Sequence, residues 1–384
     1  VANVFDMMDE WGPEKIVAVS DAKTGMKGVL VIDNTSRGIG KGGTRMQPTV
    51  SVEEIARLAR VMTWKWAGVD LFYGGAKAGI QADPNSPYKE EILRAFVRRL
   101  RNEVPEEYVF GLDMGLTEND AAIINDELGT RGAAVGTPYD LGGIPYDQLG
   151  ITGYGIAEVV DEAASAIGLS GKRVALQGFG AVGHAAAERL HRLGYQVVSV
   201  STAAGALHDP NGLDVPALLE LRRDLGDAFV SALPELKIEA GRELFVDADI
   251  VVPAALQDVI SESSAADIKG RLLVEGANLP TNAAAQAVLR DAGITVVPDF
   301  IANAGGVVSA AFAMDARYSA FRPETGQIFE AVSTKLRANA VQVLDETGRR
   351  GGTSHEAARG LAQERVKRAM ELRGKSLRAD VVPD

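Results

Sequence analysis

Apolar residues recur along this chain with two periods, and where the period changes the chain divides. In the first part, Val52, Ile55, Leu58, Ala59 and Met62 keep the three-four spacing of one helical face, which predicts a helix over 51–66. Residues 3–10 and Ile92–Val104 also read as helices, the second with arginines on its polar side. Lys15–Ser20 and Lys27–Asp33 alternate or run apolar as strands do, and Tyr108–Leu112 is a short apolar strand ending at Asp113. Residues 129–155 are rich in glycine, proline and tyrosine with little periodicity, which predicts a loop and a domain hinge. From Lys172 strand and helix patterns alternate through Val174–Gln177, Val182–Leu193, Gln196–Ser201, Leu218–Leu225, Ile250–Pro253, Leu272–Glu275, Ala283–Ala292 and Thr295–Val297. That alternation predicts a doubly wound parallel sheet, an α/β fold. Two closing helices are expected over 326–348 and 354–372, with a frayed tail after Lys375.

Length and composition narrow the functional classes. A chain of 384 residues predicts two domains rather than one. The formal charge of −12 argues against a nucleic-acid partner, which needs a basic surface. With no cysteine, disulfides, thiolate metal sites and cysteine nucleophiles are excluded. The four histidines show no metal-ligand spacing; His184 and His191 stand seven apart on a predicted helix, so no metal site is expected. No apolar run is long enough to span a membrane, and Val1–Glu10 carries acids rather than a basic leader. A cytoplasmic protein with no membrane partner is the expectation.

Gly178-Phe179-Gly180-Ala181-Val182-Gly183 matches G-x-G-x-x-G between a predicted strand and a predicted helix, the setting in which that motif binds a dinucleotide. The first glycine makes the tight turn, the second admits the pyrophosphate, and the third lets helix and strand pack. The helix N-terminus then offers unpaired N–H groups to the phosphates.

Lys77 lies in Leu71-Phe72-Tyr73-Gly74-Gly75-Ala76-Lys77-Ala78-Gly79-Ile80, ringed by glycine and alanine. This reads as a lysine on a strand end or tight loop, where substrate and backbone come close. An apolar setting lowers a lysine pKa and fits it for general-base work. The plain alternative is a surface lysine in a glycine-rich turn. Lys65 lies twelve residues upstream, and Lys41 twenty-four before that.

Leu71–Pro84 resembles the active-site segment of the Glu/Leu/Phe/Val dehydrogenases, with Gly74, Gly75, Ala76, Lys77, Gly79, Asp83 and Pro84 all fitting its pattern. Pro253–Leu256, Glu275–Thr281 and Ala302–Val307 resemble that family's cofactor-facing loops, and the likeness runs from about Phe5 to Glu371. The resemblance implies reversible NAD(P)-dependent deamination of an L-amino acid to a 2-oxo acid and ammonia. It implies a substrate and oligomerisation domain over 1–145, with about 345–384 returning to it. A Rossmann domain would fill 150–340, with the active site in the cleft between them. A homo-oligomer, hexamer or octamer, is implied as well.

Carried over by motif, Lys65 would bind the α-carboxylate, Lys77 would activate water and act as base, and Asp113 would exchange protons with the amino group. Gly42, Gly111, Val307 and Ala310 would complete the substrate surface. Ala254, Ala255, Asn278 and Asn303 would lie along the cofactor, and Thr152 near its amide. Simpler roles stand beside these: Asp113 as a helix cap, Lys65 as a snorkelling lysine, each asparagine as a turn former. Thr202 falls where dinucleotide enzymes often carry an acid, and no acid follows until Asp209. Hydroxyls of Ser201 and Thr202 could bond a 2′-phosphate, so NADP, or dual use with NAD, is expected. Lys41 occupies the position that binds a side-chain carboxylate in glutamate dehydrogenases, which favours glutamate. Ala310, where those enzymes have serine, and apolar Val307, Val308 and Ala311 leave a leucine-, valine- or phenylalanine-type enzyme as the alternative. The rivals from other classes are a non-catalytic Rossmann sensor, which needs no proton-transfer set, and a 2-hydroxy-acid dehydrogenase, which usually wants a His–acid pair.

Overall fold

The computed structural model describes residues 3–144 and 149–376. Parts of the expected hinge (145–148) and of the expected tail (377–384) lie outside the described residues. The chain forms two compact units, one of Val1–Pro145, Ala310–Glu324 and Leu361–Asp384, the other of Tyr146–Ser309 and Thr325–Gly360. Residues 310–324 therefore pack with the first unit, and 345–360, expected to return to it, stay with the second.

In the first unit the elements are β1 (Lys15–Asp21), β2 (Met26–Asn34), β3 (Gly40–Met46), α1 (Val52–Gly68), β4 (Gly74–Ile80), α2 (Lys89–Arg99), β5 (Tyr108–Leu112) and α3 (Glu118–Leu128). Among the described residues the strands form one mixed sheet in the order β1-β2-β4-β3-β5. Alternation along β2 sorts its two faces. Leu30 and Ile32 join Ala76, Ala78, Phe96, Phe110 and Ile124 in the core on one side. Val29 and Val31 meet Ile55, Ala56 and Ala59 of α1 on the other.

This packing explains the glycines of β4. A Cβ on Gly75 would lie 2.0 Å from Thr63 Oγ1, and one on Gly79 would lie 2.7 Å from Ile55 Cδ1. Helix α1 rests directly on the strand, and only glycine leaves room for it. Lys77 is therefore in the middle of a buried strand, not on the strand end or loop that its glycine neighbours suggest. Two further expectations change. Residues 3–10 form a single 3-10 turn, Val4–Met7, with no buried side chain to hold a longer helix. Helix α2 stops at Arg99 rather than Val104, with Leu100 as its C-cap and a run of turn following it.

The second unit contains α4 (Ile151–Ala166), β6 (Arg173–Gln177), α5 (Ala181–Arg192), β7 (Gln196–Thr202), β8 (Gly205–His208), α6 (Val215–Leu225), β9 (Lys237–Ile238), β10 (Ile250–Pro253), α7 (Glu262–Ala265), β11 (Leu272–Val274), α8 (Ala283–Asp291), β12 (Thr295–Val297) and α9 (Asp299–Ala302). Three longer helices follow, α10 (Gly305–Ala316), α11 (Thr325–Arg350) and α12 (Ser354–Leu372). The sheet order is β12-β11-β10-β6-β7-β8-β9. It is parallel from β12 to β7, as the alternation predicts, but β8 and β9 add antiparallel strands at the far edge. The connections run outward in opposite directions from β6 and β10, so the switch point lies between their carboxyl ends, Gln177 and Pro253.

Candidate active site

Parallel register brings three strands together where the chemistry concentrates. Lys41 of β3 pairs with Gly75 on one side and Val109 on the other, and Gly43 pairs with Gly111. Lys77 lies between the registered pairs Lys41–Gly75 and Thr44–Ala78. The Lys41 ammonium crosses β5 where Gly111 has no side chain: a Cβ there would stand 2.3 Å from Lys41 Nζ. Lys41 is 3% exposed, and Nζ donates to Val109 O at 3.4 Å. Burial, and then the cations Arg317 and Lys77, push this ammonium well below the ordinary lysine range.

Lys77 Nζ is ion-paired with Asp113 Oδ2. Burial pulls the Lys77 pKa down, and although Asp113 pulls it back up, the net direction is down. Burial alone would raise the Asp113 carboxyl. Lys77, the Met114 N–H donating to Oδ1 at 2.7 Å and Arg45 together hold it below the ordinary carboxylate range. Asp113 is not the helix cap that its sequence setting allows. Thr117 caps α3, in a reciprocal box with Asp120.

Lys65 is half-buried in the last turn of α1, next to Trp66, whose indole N–H donates to Lys41 O at 3.1 Å. The missing Cβ of Gly42 is used against β4, since it would stand 1.7 Å from Ala76 O. Val307 and Ala310 are half-buried, three residues apart on α10 and so on one helix face. Two groups escaped the sequence reading. Arg45 donates to Glu54 Oε1 at 2.6 Å and to Asp113 Oδ2 at 3.4 Å. The two-residue period from Lys41 through Gly43 was a signal that could have found it. The second group, Tyr73 donating to Asp315 at 2.8 Å with Arg317 nearby, joins residues far apart in sequence.

In the second unit a cavity of about 670 Å³ opens at the switch point. Gly178 has φ +92°, and a Cβ on Gly183 would lie 2.2 Å from Gly178 O, so both positions demand glycine. A Cβ on Gly180 would meet nothing within 4 Å, which leaves the approach to the loop open. Ala181 and Val182 begin α5, whose N-cap residue Gly180 makes no side-chain cap, so its first N–H groups are free for an anion. These features fit a dinucleotide pyrophosphate. Phe179 packs its ring on Phe229 at 5.3 Å, which makes it scaffold as well as lining.

Ala254 and Ala255 line the same cavity, against Gly276 and Gly178 respectively. Asn303 Nδ2 donates to Asn278 Oδ1 at 3.0 Å, and Thr152 Oγ1 would be 3.4 Å from a Cβ on Gly306. Thr152, Asn278 and Asn303 thus surround one loop cluster. Ser201 Oγ accepts from Gly178 N at 3.0 Å. Thr202 behaves otherwise than expected. Its hydroxyl donates its one hydrogen to Asp227 O at 3.0 Å and accepts from Ala204 N, so it has no donor left for a phosphate. The cavity wall also carries two carboxylates that the sequence reading did not place there, Asp227 and Glu243.

Among the described residues no cluster of histidine and acidic side chains could hold a metal, and no helix is long and apolar enough to cross a membrane.

A family model described as Glutamate/Leucine/Phenylalanine/Valine dehydrogenase matches residues 142–374, and one described as Glu/Leu/Phe/Val dehydrogenase, dimerisation domain, matches 13–130. The chain is 34% identical to the NADP-specific glutamate dehydrogenase of Saccharolobus shibatae, over 94% of its own length and 90% of that protein. It is 36% identical to the NAD-specific glutamate dehydrogenase of Staphylococcus aureus, over 79% of its length and 76% of that protein. The crystal structure of the hetero-hexameric glutamate dehydrogenase of Thermus thermophilus in its Leu bound form superposes with a TM-score of 0.79 at 31% identity, covering 97% of this chain and 91% of that one. With both halves of the family's pattern matched, the chain belongs to the Glu/Leu/Phe/Val dehydrogenases and is an NAD(P)-dependent amino-acid dehydrogenase.

Proposed function

We propose that this enzyme interconverts glutamate with 2-oxoglutarate and ammonia, and that Lys41, Lys65, Lys77 and Asp113 handle the substrate. The observation that carries the choice of substrate is the state of Lys41. Its ammonium is buried, hydrogen-bonded to a carbonyl, and acted on by two further cations. A bound side-chain carboxylate would compensate that charge, whereas an apolar side chain would leave it uncompensated at a cost of several kcal/mol. The names of the curated relatives point the same way.

The nicotinamide cofactor supplies the hydride acceptor when bound. Lys65 would hold the α-carboxylate as a point charge, and Lys41 the distal one. Lys77, kept below the ordinary lysine range by burial, would take a proton from the water that attacks the imine carbon of the oxidised substrate. Asp113, already paired with Lys77 Nζ, would pass protons to and from the substrate nitrogen as ammonia leaves. Gly43 leaves room for the side chain of Asp113, whose Cβ a Cβ at 43 would meet at 2.8 Å, and Gly111 leaves room for the Lys41 ammonium.

One observation favours an apolar substrate: Ala310 offers no hydroxyl, and Ala311 beside it is apolar too. Steady-state rates with ammonium and 2-oxoglutarate, 2-oxoisocaproate or phenylpyruvate decide between the two. We expect 2-oxoglutarate to give the highest kcat/KM, and Lys41→Leu to lower it about a hundredfold, the value of a lost hydrogen bond to a charged group. A wild-type preference for 2-oxoisocaproate, or an unchanged profile in Lys41→Leu, would replace glutamate by the apolar reading. A homo-oligomer in the cytoplasm goes with the proposal, supported by the match of residues 13–130 to a dimerisation domain.

A further inference from the structure

The dinucleotide cavity lacks an acid where this fold normally supplies one, yet a carboxylate reaches its wall from another segment. Strand β7 ends at Thr202 and turns through Ala203-Ala204 straight into β8, with Thr202 paired to Gly205. Three contacts hold the segment Gly226–Ala232, and the end of α6 that leads into it, onto this corner. Thr202 Oγ1 donates to Asp227 O at 3.0 Å, Phe229 is fully buried against Phe179, and Arg222 Nε donates to Phe179 O at 2.6 Å. The backbone of Asp227 is thereby pinned to the strand end and to the glycine turn, while its side chain stays exposed on the cavity wall. The other carboxylate of the lining, Glu243, is buried and already accepts from Gln177 Nε2 at 3.2 Å and Gly241 N at 2.8 Å. No lysine or arginine lines the cavity among the described residues.

We infer that Asp227 is the residue that selects the cofactor, and that it selects NAD over NADP by bonding the adenosine ribose hydroxyls and repelling a 2′-phosphate. The inference rests on Gly178–Gly183 being the pyrophosphate turn and is independent of which amino acid is the substrate. An acid at this corner usually comes from the end of the second strand. Here the strand end is folded into a hairpin, and Asp227 reaches the same corner through its own main chain. The Thr202 hydroxyl, tied up in holding Asp227, serves the carboxylate's placement rather than a phosphate.

The test is direct binding of NADH and NADPH, followed by nicotinamide fluorescence without amino acid, on the full-length wild type, Asp227→Ser and Asp227→Asn. The wild type should bind NADH at least about tenfold more tightly than NADPH, the size of one hydrogen bond to a charged acceptor plus repulsion. Asp227→Ser should cut that ratio by about tenfold or more, losing NADH and gaining NADPH affinity. Asp227→Asn should gain NADPH to a similar degree and lose less NADH, since it keeps a polar group at the ribose. Both variants should fold normally, because Thr202 bonds the main chain of Asp227, and matching thermal transitions check this. Tighter NADPH than NADH binding in the wild type, or an unchanged ratio in Asp227→Ser, overturns the inference. Binding of neither nucleotide removes the pyrophosphate reading and the inference with it. A protein inactive on glutamate would still return these constants, so failure of the substrate proposal is distinguished from failure here.

Discussion

A lysine ammonium on the floor of a sheet loses hydration that one ion pair returns only in part. That imbalance suits Lys77 to the proposed role of base, and its neighbours tune it. Arg45, which bridges Glu54 and Asp113, pulls the Lys77 pKa further down, while Asp113 and Glu54 pull it up. The sign for catalysis follows. The free amine is the active form in deamination, so kcat/KM should rise with pH through an apparent pKa below the ordinary lysine range. Replacing Arg45 by Gln removes a cation and leaves Glu54 in place, so this rising limb should move to higher pH. Rate profiles over pH for wild type and Arg45→Gln measure it, and a limb that stays or moves lower would show that Lys77 is not the titrating group.

Elements whose own periodicity matched their packing could be read from sequence, and elements shaped by a neighbour could not. Helix α1 shows its buried face as a three-four repeat and was predicted to within a residue at its start. Strands β3 and β4 were not, because glycine at 43, 75 and 79 reads as loop until α1 and β5 are present to demand it. The helix after Asp113 is capped four residues later than Asp113 suggests, by Thr117 in its box with Asp120. The glycine turn was legible because its motif is local, whereas Asp227 reaches its cavity, and Arg317 its place beside Lys41, through tertiary contacts alone. The same distinction applies to Glu158, an acid inside α4 that sequence does not single out. It is 1% exposed, accepts from Arg189 Nε and Arg337 Nε at 2.6 Å each and from Ser333 at 2.5 Å, and so joins α4, α5 and α11.

Burial would raise the Glu158 pKa, but Ser333, Arg337 and Arg189 bring it below the ordinary value. A depressed carboxylate stabilises the fold above its unfolded pKa of roughly 4.3 and loses that contribution as pH falls through the lower folded value. Glu158→Ala should therefore cost about 3 kcal/mol at neutral pH, and the difference from wild type should shrink below about pH 4. Denaturant unfolding at several pH values tests this; a difference that grows in acid would contradict the assigned sign.

At the scale of the whole molecule, the chain revisits its first unit after building its second, which local patterns do not reveal. The end of α12 completes the support of α1: Ala362, Val366 and Met370 are buried with Ala67, and Trp11 and Trp64 pack against them. Arg365 Nη1 donates to Ala67 O at 2.8 Å and Gly68 O at 2.9 Å, satisfying carbonyls at the end of α1. That turn carries Lys65, and Trp66, which holds the main chain of Lys41. A carboxylate buried here should loosen the lysines proposed to hold the substrate and leave the glycine turn alone. Val366→Asp is accordingly expected to destabilise the first unit by about 3 kcal/mol or more, from burying an unpaired charge. It should raise the KM for the 2-oxo acid while the NADH dissociation constant stays within about twofold of wild type. Val366→Ala, which leaves a small cavity and no charge, should show the same direction with a loss of about 1–2 kcal/mol. If NADH affinity fell in step with stability in both variants, the two units would be unfolding as one, and α12 would be supporting the whole enzyme rather than the turn that carries Lys65.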